Sequence, residues 1–191
     1  MVKNKRDLRF VKSQQRLYSA FEELLRKKSF DEISVRDICA QANTSRSGFY
    51  LHFEDKYDLV QKYQREFIEH GMQIMKEKKH LGIQIIFENV LDYLNTDGEI
   101  LAILLSNRGS IEIQSQIKDH FRNNAQQNIF PKYNLKSGTD IENCYLTAML
   151  SGAFFGILEE WIHQGKKETP AQLIQLMSEN VIPSLKNSEL L

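Results

Sequence analysis

An all-α fold is predicted by three observations. Three prolines and nine glycines punctuate 191 residues, so long uninterrupted elements are expected. Apolar residues recur at spacings of three and four along most of the chain, which is the helical period. No internal repeat and no low-complexity stretch interrupts the pattern. About nine helices follow.

Residues 1–10 are basic and aperiodic and read as a mobile arm. Its cations and the next one along, Lys3, Lys5, Arg6, Arg9 and Lys12, read as solvated, with minor-groove or phosphate contact as the alternative. A first helix is expected from Val11 to Lys28, with Leu17, Phe21, Leu24 and Leu25 as its apolar stripe and Arg26, Lys27 and Lys28 suiting the dipole of its last turn. Ser34 is a good N-cap for a short second helix ending near Ala42, with Asp37 completing a capping box. Ile33, Val35 and Ile38 supply its buried side, and Cys39 reads as a small core residue.

Asn43 and Thr44 break that helix. Asn tolerates the left-handed conformation, so a tight turn is expected there. Ser45 caps a third helix from Arg46 to His52, and Asp55 caps a fourth from Lys56 to Lys79. Segments 82–95, 98–107, 110–130, 140–164 and 170–185 are each helical in period. Gly109, Gly138 and Gly165 mark stops, and Pro170 suits a first helical turn.

The chain carries 25 basic and 25 acidic side chains, a formal charge of zero. The total hides an asymmetry. Residues 1–65 hold a net of +5 and residues 66–191 a net of −5. A front segment that meets a polyanion and a remainder that does not would produce this difference. The start lacks the apolar region of a signal peptide. The longest apolar run, Tyr145 to Leu158, is shorter than the ~20 residues of a span, so no membrane partner is expected. Cys39 and Cys144 belong to no CxxC pattern. His70, His80, His120 and His163 have no ligand spacing, and Glu159 and Glu160 are adjacent and share no helix face. No metal, no cofactor and no enzymatic activity are expected, and the compartment is read as cytoplasmic.

Two short helices joined by a turn of about four residues, behind a longer helix, form a helix-turn-helix unit. The second helix of such a unit enters the major groove N-terminus first. Phe49 and Phe53 share the face assigned to the core, Arg46, Ser47 and Tyr50 point away from it, and His52 lies at its edge. Arg is the best bidentate reader of guanine. Gly48 costs about 1 kcal/mol against Ala in a helix, which close approach to DNA or tight packing would each justify. Lys56 opposes the dipole of its own helix, a placement that a bound phosphate would reverse.

The segment from about Ser13 to Val60 resembles the N-terminal domain of TetR-family transcriptional regulators. The resemblance rests on the block from Phe30 to Ile38, on Ala42, and on the run Ser45-Arg46-Ser47-Gly48-Phe49-Tyr50-Leu51-His52-Phe53-Glu54-Asp55-Lys56-Tyr57-Asp58-Leu59. It implies that Ser34 and Arg36 touch phosphate, that Thr44, Ser45, Arg46, Ser47 and Gly48 face base edges or adjacent backbone, and that Tyr50, His52 and Lys56 hold phosphates. The family usually has Gly where this chain has Asn43, a small apolar residue at Thr44, and often Gly at Ser29.

The stretch from Ser151 to Gly165 is similar to the penultimate helix of a Gram-positive (Firmicutes) branch, in which the last two long helices form a homodimeric four-helix bundle. Ser151, Gly152, Ala153, Phe154, Gly156 and Ile157 are the expected dimer interface, small residues allowing close approach and the larger ones supplying apolar area. Wall candidates for a ligand pocket are Phe67, Met75, Phe87, Tyr93, Leu104, Phe121, Tyr145, Met149, Phe155 and Trp161. Periodicity does not separate a pocket wall from packed core.

The expectation is a helix-turn-helix DNA-binding domain over residues 1–54 and an effector-binding and dimerisation domain over 55–191. The protein is then a homodimeric, ligand-responsive repressor of a palindromic double-stranded operator. The alternative is a co-activator on the same fold, controlled by a partner protein in place of a small-molecule effector.

Overall fold

The computed structural model describes residues 5–77, 83–129 and 139–181. Among them the secondary structure is helical throughout, in the order α1 Lys5–Leu25, α2 Val35–Gln41, α3 Arg46–Tyr50, α4 Lys56–Glu77, α5 Ile83–Thr96, α6 Glu99–Leu105, α7 Ile111–Asn124, α8 Asp140–His163 and α9 Pro170–Leu176. Two π-helical turns, Ala125–Ile129 and Met177–Val181, extend α7 and α9. The predicted helix count and order hold. Gly138 lies outside the described residues.

The first helix differs from its expected bounds at both ends. It begins at Lys5, so most of the basic segment read as an arm is helical. No Pro or Gly precedes Val11, so nothing local stops the helix there. It ends at Leu25, and the Arg26, Lys27 and Lys28 N–H groups still turn back to the carbonyls of Glu22 and Leu24 before the chain leaves the helix. Ser29 donates its backbone N–H and its hydroxyl to Glu32, and the Phe30 N–H donates to the Arg108 carbonyl at 2.8 Å. The Arg108 guanidinium takes the Leu25 carbonyl at 3.0 Å, a cation at the negative end of a helix.

The chain divides into two compact units. One takes the chain up to Ile68 together with Glu99–Ile117, and the other takes Glu69–Gly98 and the chain from Lys118 on. The first unit is packed on Leu17, Phe21, Leu25, Phe30, Ile33, Ile38, Phe49, Phe53 and Leu59, all essentially without exposure, together with Ile100, Leu101 and Leu104 of α6. Burying a Phe or Leu side chain contributes about 1.5–3 kcal/mol, so this cluster is what holds three short elements in place. Tyr18 joins α1 to α4, its hydroxyl donating to Glu66 at 3.2 Å and accepting from Gln14 at 3.0 Å. Burial, first of all, raises that phenol above its ordinary range.

In the second unit, Leu91, Leu94, Phe155, Leu158, Trp161 and Leu173 are buried. Trp161 donates its indole N–H to the Glu168 carbonyl at 2.9 Å. That bond fixes the corner between α8 and α9, where Gly165 sits at φ +79° and the Lys166 N–H returns to the Trp161 carbonyl. Thr139 and Thr169 cap α8 and α9 through complete capping boxes. By length and composition α8 is apolar enough to cross a membrane, yet only 17% of its apolar window is buried. One helix of that kind does not make the chain a membrane protein.

Candidate nucleic-acid interface

The helix-turn-helix unit is built from α2, a four-residue connection and α3. Ser34 caps α2 reciprocally with Asp37. The Asp37 N–H donates to the Ser34 hydroxyl oxygen at 3.2 Å, and the Ser34 N–H donates to the Asp37 carboxylate at 2.9 Å. Lys28 adds a third contact to that carboxylate at 3.0 Å. The Ser34 backbone bond, with Lys28 and the Ser34 hydroxyl behind it, holds the Asp37 pKa well below the usual carboxylate range. Ser34 is therefore committed to its own helix while remaining at the surface.

The turn forms as its residue types dictate. Asn43 takes φ +48°, the left-handed region that Asn tolerates. The Thr44 N–H closes the turn on the Cys39 carbonyl at 2.9 Å. Cys39 itself is buried, as its place on the inner face of α2 requires. Ser45 caps α3 by accepting from the Gly48 N–H at 3.0 Å. A Cβ on Gly48 would lie 2.7 Å from the Thr44 hydroxyl oxygen. Turn packing therefore already disfavours a side chain there.

The third helix ends at Tyr50, two residues before its expected end, and Leu51 and His52 form a turn. Phe49 and Phe53 are buried with ring centroids 5.5 Å apart, which pins one side of the helix to the core. Arg46 and Ser47 are exposed on the other side, and Tyr50 is 56% exposed. Arg36, on α2, is also exposed. No hydrogen bond or ion pair within the described residues engages the Arg36 or Arg46 guanidinium. Two free planar five-donor groups, one on each helix of the unit, suit the recognition of phosphate or guanine.

His52 and Lys56 are placed differently. His52 is only 7% exposed, with Nε2 at 2.7 Å from the Ser13 hydroxyl and its ring 4.1 Å from that of Phe10. Burial, and then the charge of Lys62, lower its pKa from the ordinary value. The Lys56 ammonium donates to the carbonyls of Phe30 at 2.9 Å, Ile33 at 2.9 Å and Asp31 at 3.3 Å, and burial lowers its pKa. The ammonium on which the resemblance places a phosphate is engaged by three carbonyls of its own chain. An ammonium has three donors, and all are used.

Sequence reasoning missed three contributors. Leu51 is an exposed apolar residue just after α3. Lys62 holds the turn after α3 by donating to the His52 carbonyl at 2.7 Å. Arg108 braces the loop before α2, a contact across more than 80 residues of sequence that no local pattern encodes.

The pocket candidates are not gathered in one place. Phe67 and Leu104 are core of the first unit. Phe155 and Trp161 are core of the second, where Phe121 packs edge-on to Phe155 at 6.0 Å and Tyr93 stacks on His70 at 4.5 Å. Tyr145 and Met149 stand exposed on α8 because they fall on its outer face. The side chains of Met75 and Phe87 lie outside those described. Of the dimer candidates, Gly152, Ala153 and Gly156 are exposed and Ser151, Phe154 and Ile157 half-buried. Nothing stands within 4 Å of where a Cβ on Gly152 or Gly156 would be.

Comparison with known proteins bears on both units. Residues 17–63 match the family described as bacterial regulatory proteins, tetR family, and residues 82–182 match one described as transcriptional regulator C-terminal region. A TetR transcriptional regulator from Streptococcus agalactiae is 24% identical, with 89% of this chain and 93% of that one covered at a TM-score of 0.66. A TetR-family regulator from Syntrophomonas wolfei is 16% identical, covers 94% and 98%, and superposes at 0.70. NalD, described as the secondary repressor of a multidrug efflux pump in Pseudomonas aeruginosa, is 16% identical, covers 91% and 96%, and superposes at 0.64. No curated protein matches the chain.

Proposed function

The chain belongs to the TetR family of bacterial transcriptional regulators, and from that premise we propose that it is a homodimeric, ligand-responsive repressor of a palindromic operator. The observation that carries the reading is the outer side of α2 and α3. There Arg36, Arg46, Ser47 and Tyr50 are free while Phe49 and Phe53 hold the backbone rigid. Arg46 and Ser47, with Thr44, Ser45 and Gly48 beside them, read base edges. Arg36 and Tyr50 hold phosphates, with His52 at their edge, while Ser34 serves through the cap it gives α2 and Lys56 through the loop it ties down. The functional division is residues 1–54 for DNA and 55–191 for effector and dimer, and the protein works in the cytoplasm.

The dimer is proposed from α8. Ile141, Tyr145 and Met149 are 70%, 74% and 62% exposed at four-residue spacing, and Gly152 and Gly156 continue the stripe. An uncovered apolar helix face of this length suits a second copy of the same helix. Effector binding would favour a spacing of the two reading helices that no longer fits successive major grooves, and DNA must then weaken effector binding by the same factor. A second reading, activation in place of repression, is favoured by a structural relative described as a dihydroxyacetone kinase operon activator.

A gel shift with the region upstream of the protein's own gene tests the proposal. Specific binding by the purified protein, lost in Arg46→Ala, is the expected result. Binding that requires a second protein would favour the activator. No binding to DNA under any condition would overturn both.

A further inference from the structure

Arg9, Lys12 and Arg16 lie on α1 at spacings of three and four, so they share one face of that helix. All three are exposed, and no hydrogen bond or ion pair engages them among the described residues. They border an open groove whose other side is formed by Leu51 and His52, the residues that follow α3. No carboxylate lines the groove. Three unopposed cations on one face repel each other and favour an anion between them.

A second observation is independent of that charge. The Ser13 hydroxyl donates to the Phe10 carbonyl at 2.8 Å, so its oxygen accepts from His52 Nε2–H. His52 Nδ1 is then the ring's acceptor, buried and without a partner among the described residues. A buried acceptor without a partner is costly to keep.

We propose that this face of α1, with His52 at its edge, is a second DNA-binding surface, taking the phosphates that flank the bases read by α3. The inference rests on the DNA-binding reading above. Continuity selects DNA as the occupant, since the groove begins where α3 ends, on the strand of chain that leaves the reading helix. Arg9 to Arg16 spans roughly 10 Å of helix axis. Arg, with its planar fork, is the side chain that takes phosphate in two parallel bonds.

The test starts with the full-length protein selecting duplexes from a random-sequence pool. The recovered duplex is labelled with fluorescein and made in two lengths, with and without flanking base pairs. The combined variant Arg9→Ala, Lys12→Ala and Arg16→Ala should flatten the slope of log affinity against log salt on the longer duplex by about 2–3 units. It should weaken that binding on the order of 100-fold at ~0.15 M salt, with little change on the short duplex. Arg9→Lys with Arg16→Lys should keep the slope. These positions are exposed, and circular dichroism should show the fold unchanged. A protein that recovers no sequence overturns the regulator reading and this surface together. A recovered sequence bound by the triple variant with wild-type slopes on both lengths overturns this surface alone.

Discussion

Lys56 is tied to Phe30 twice: its ammonium donates to the Phe30 carbonyl at 2.9 Å and lies 4.4 Å from the centre of the Phe30 ring. Phe30 is in turn held from its other side, its N–H donating to the Arg108 carbonyl at 2.8 Å. A single buried residue thus receives the first turn of α4 and the turn between α6 and α7. Four residues later the same loop presents Ser34, the cap of α2. The position of the helix-turn-helix unit is set by backbone groups that Lys56 and Arg108 hold.

This arrangement separates two roles for Lys56. A lysine on a phosphate contributes about 0.9 to the salt slope of DNA binding. One that holds carbonyls contributes nothing to it. Lys56→Met should therefore lower stability by about 1–3 kcal/mol, the usual effect of losing charged hydrogen bonds, and weaken operator binding while leaving the salt slope unchanged. Arg36→Ala should flatten the slope by about one unit with stability intact. Urea unfolding and salt-dependent fluorescence anisotropy read both. A flattened slope in Lys56→Met would return its ammonium to the DNA.

Gly109 supports the other side of the same loop. A Cβ there would fall 1.8 Å from the Leu104 carbonyl oxygen and 2.8 Å from its carbon, both backbone atoms that cannot rotate aside. Gly109→Ala should force the α6–α7 turn to move and take Arg108 off the Leu25 carbonyl. A loss of about 3 kcal/mol or more is expected in urea unfolding. A change under about 0.5 kcal/mol, the range of ordinary surface substitutions, would show that the turn is not constrained.

Local chemistry was legible in the sequence, and long-range pairing was not. The Ser34–Asp37 box, the Asn43 turn, the Ser45 cap and the inward faces of Phe49 and Phe53 follow from residue types at fixed offsets, and each is found. The fates of His52 and Lys56 do not follow that way. His52 is decided by Ser13, 39 positions earlier, and Lys56 by carbonyls 23 to 26 positions earlier. The start of α1 is not legible either, because basic composition alone does not distinguish an arm from a helix that nothing breaks. Tyr145 and Met149 show the limit of periodicity. It marks an apolar face of α8 without saying whether that face meets the protein's own core.

That face makes a prediction about assembly. Substituting Tyr145→Glu and Met149→Glu together places two charges on the uncovered stripe, where neither side chain supports the fold of its own chain. Secondary structure should be unchanged, and the mass by light scattering should fall from that of a dimer to that of a monomer. Operator affinity should fall with it, since each half-site would then bind alone. A wild-type protein that is monomeric, or a double variant that stays dimeric, would remove α8 as the interface.

His52 makes the last prediction, concerning pH. Its ordinary pKa is about 6.5, and in the folded chain it is lowered by burial and by Lys62. The charged groups around it are Lys62 on α4 and Arg9, Lys12 and Arg16 on α1, all cationic, and none favours the imidazolium. The unfolded chain therefore takes up a proton before the native one does. Stability is full above the unfolded value, falls as pH drops below about 6.5, and is lost to its full extent beneath the folded pKa. A phosphate in the groove reverses the balance by favouring the charged ring. Duplex binding should then draw the pKa upward, and by linkage affinity should rise as pH falls from about 8 towards 6. Histidine ring NMR titration, with His52→Gln to assign the resonance, reads both arms. A His52 that titrates at or above its ordinary value in the free protein contradicts the first arm. One whose titration ignores added duplex contradicts the second.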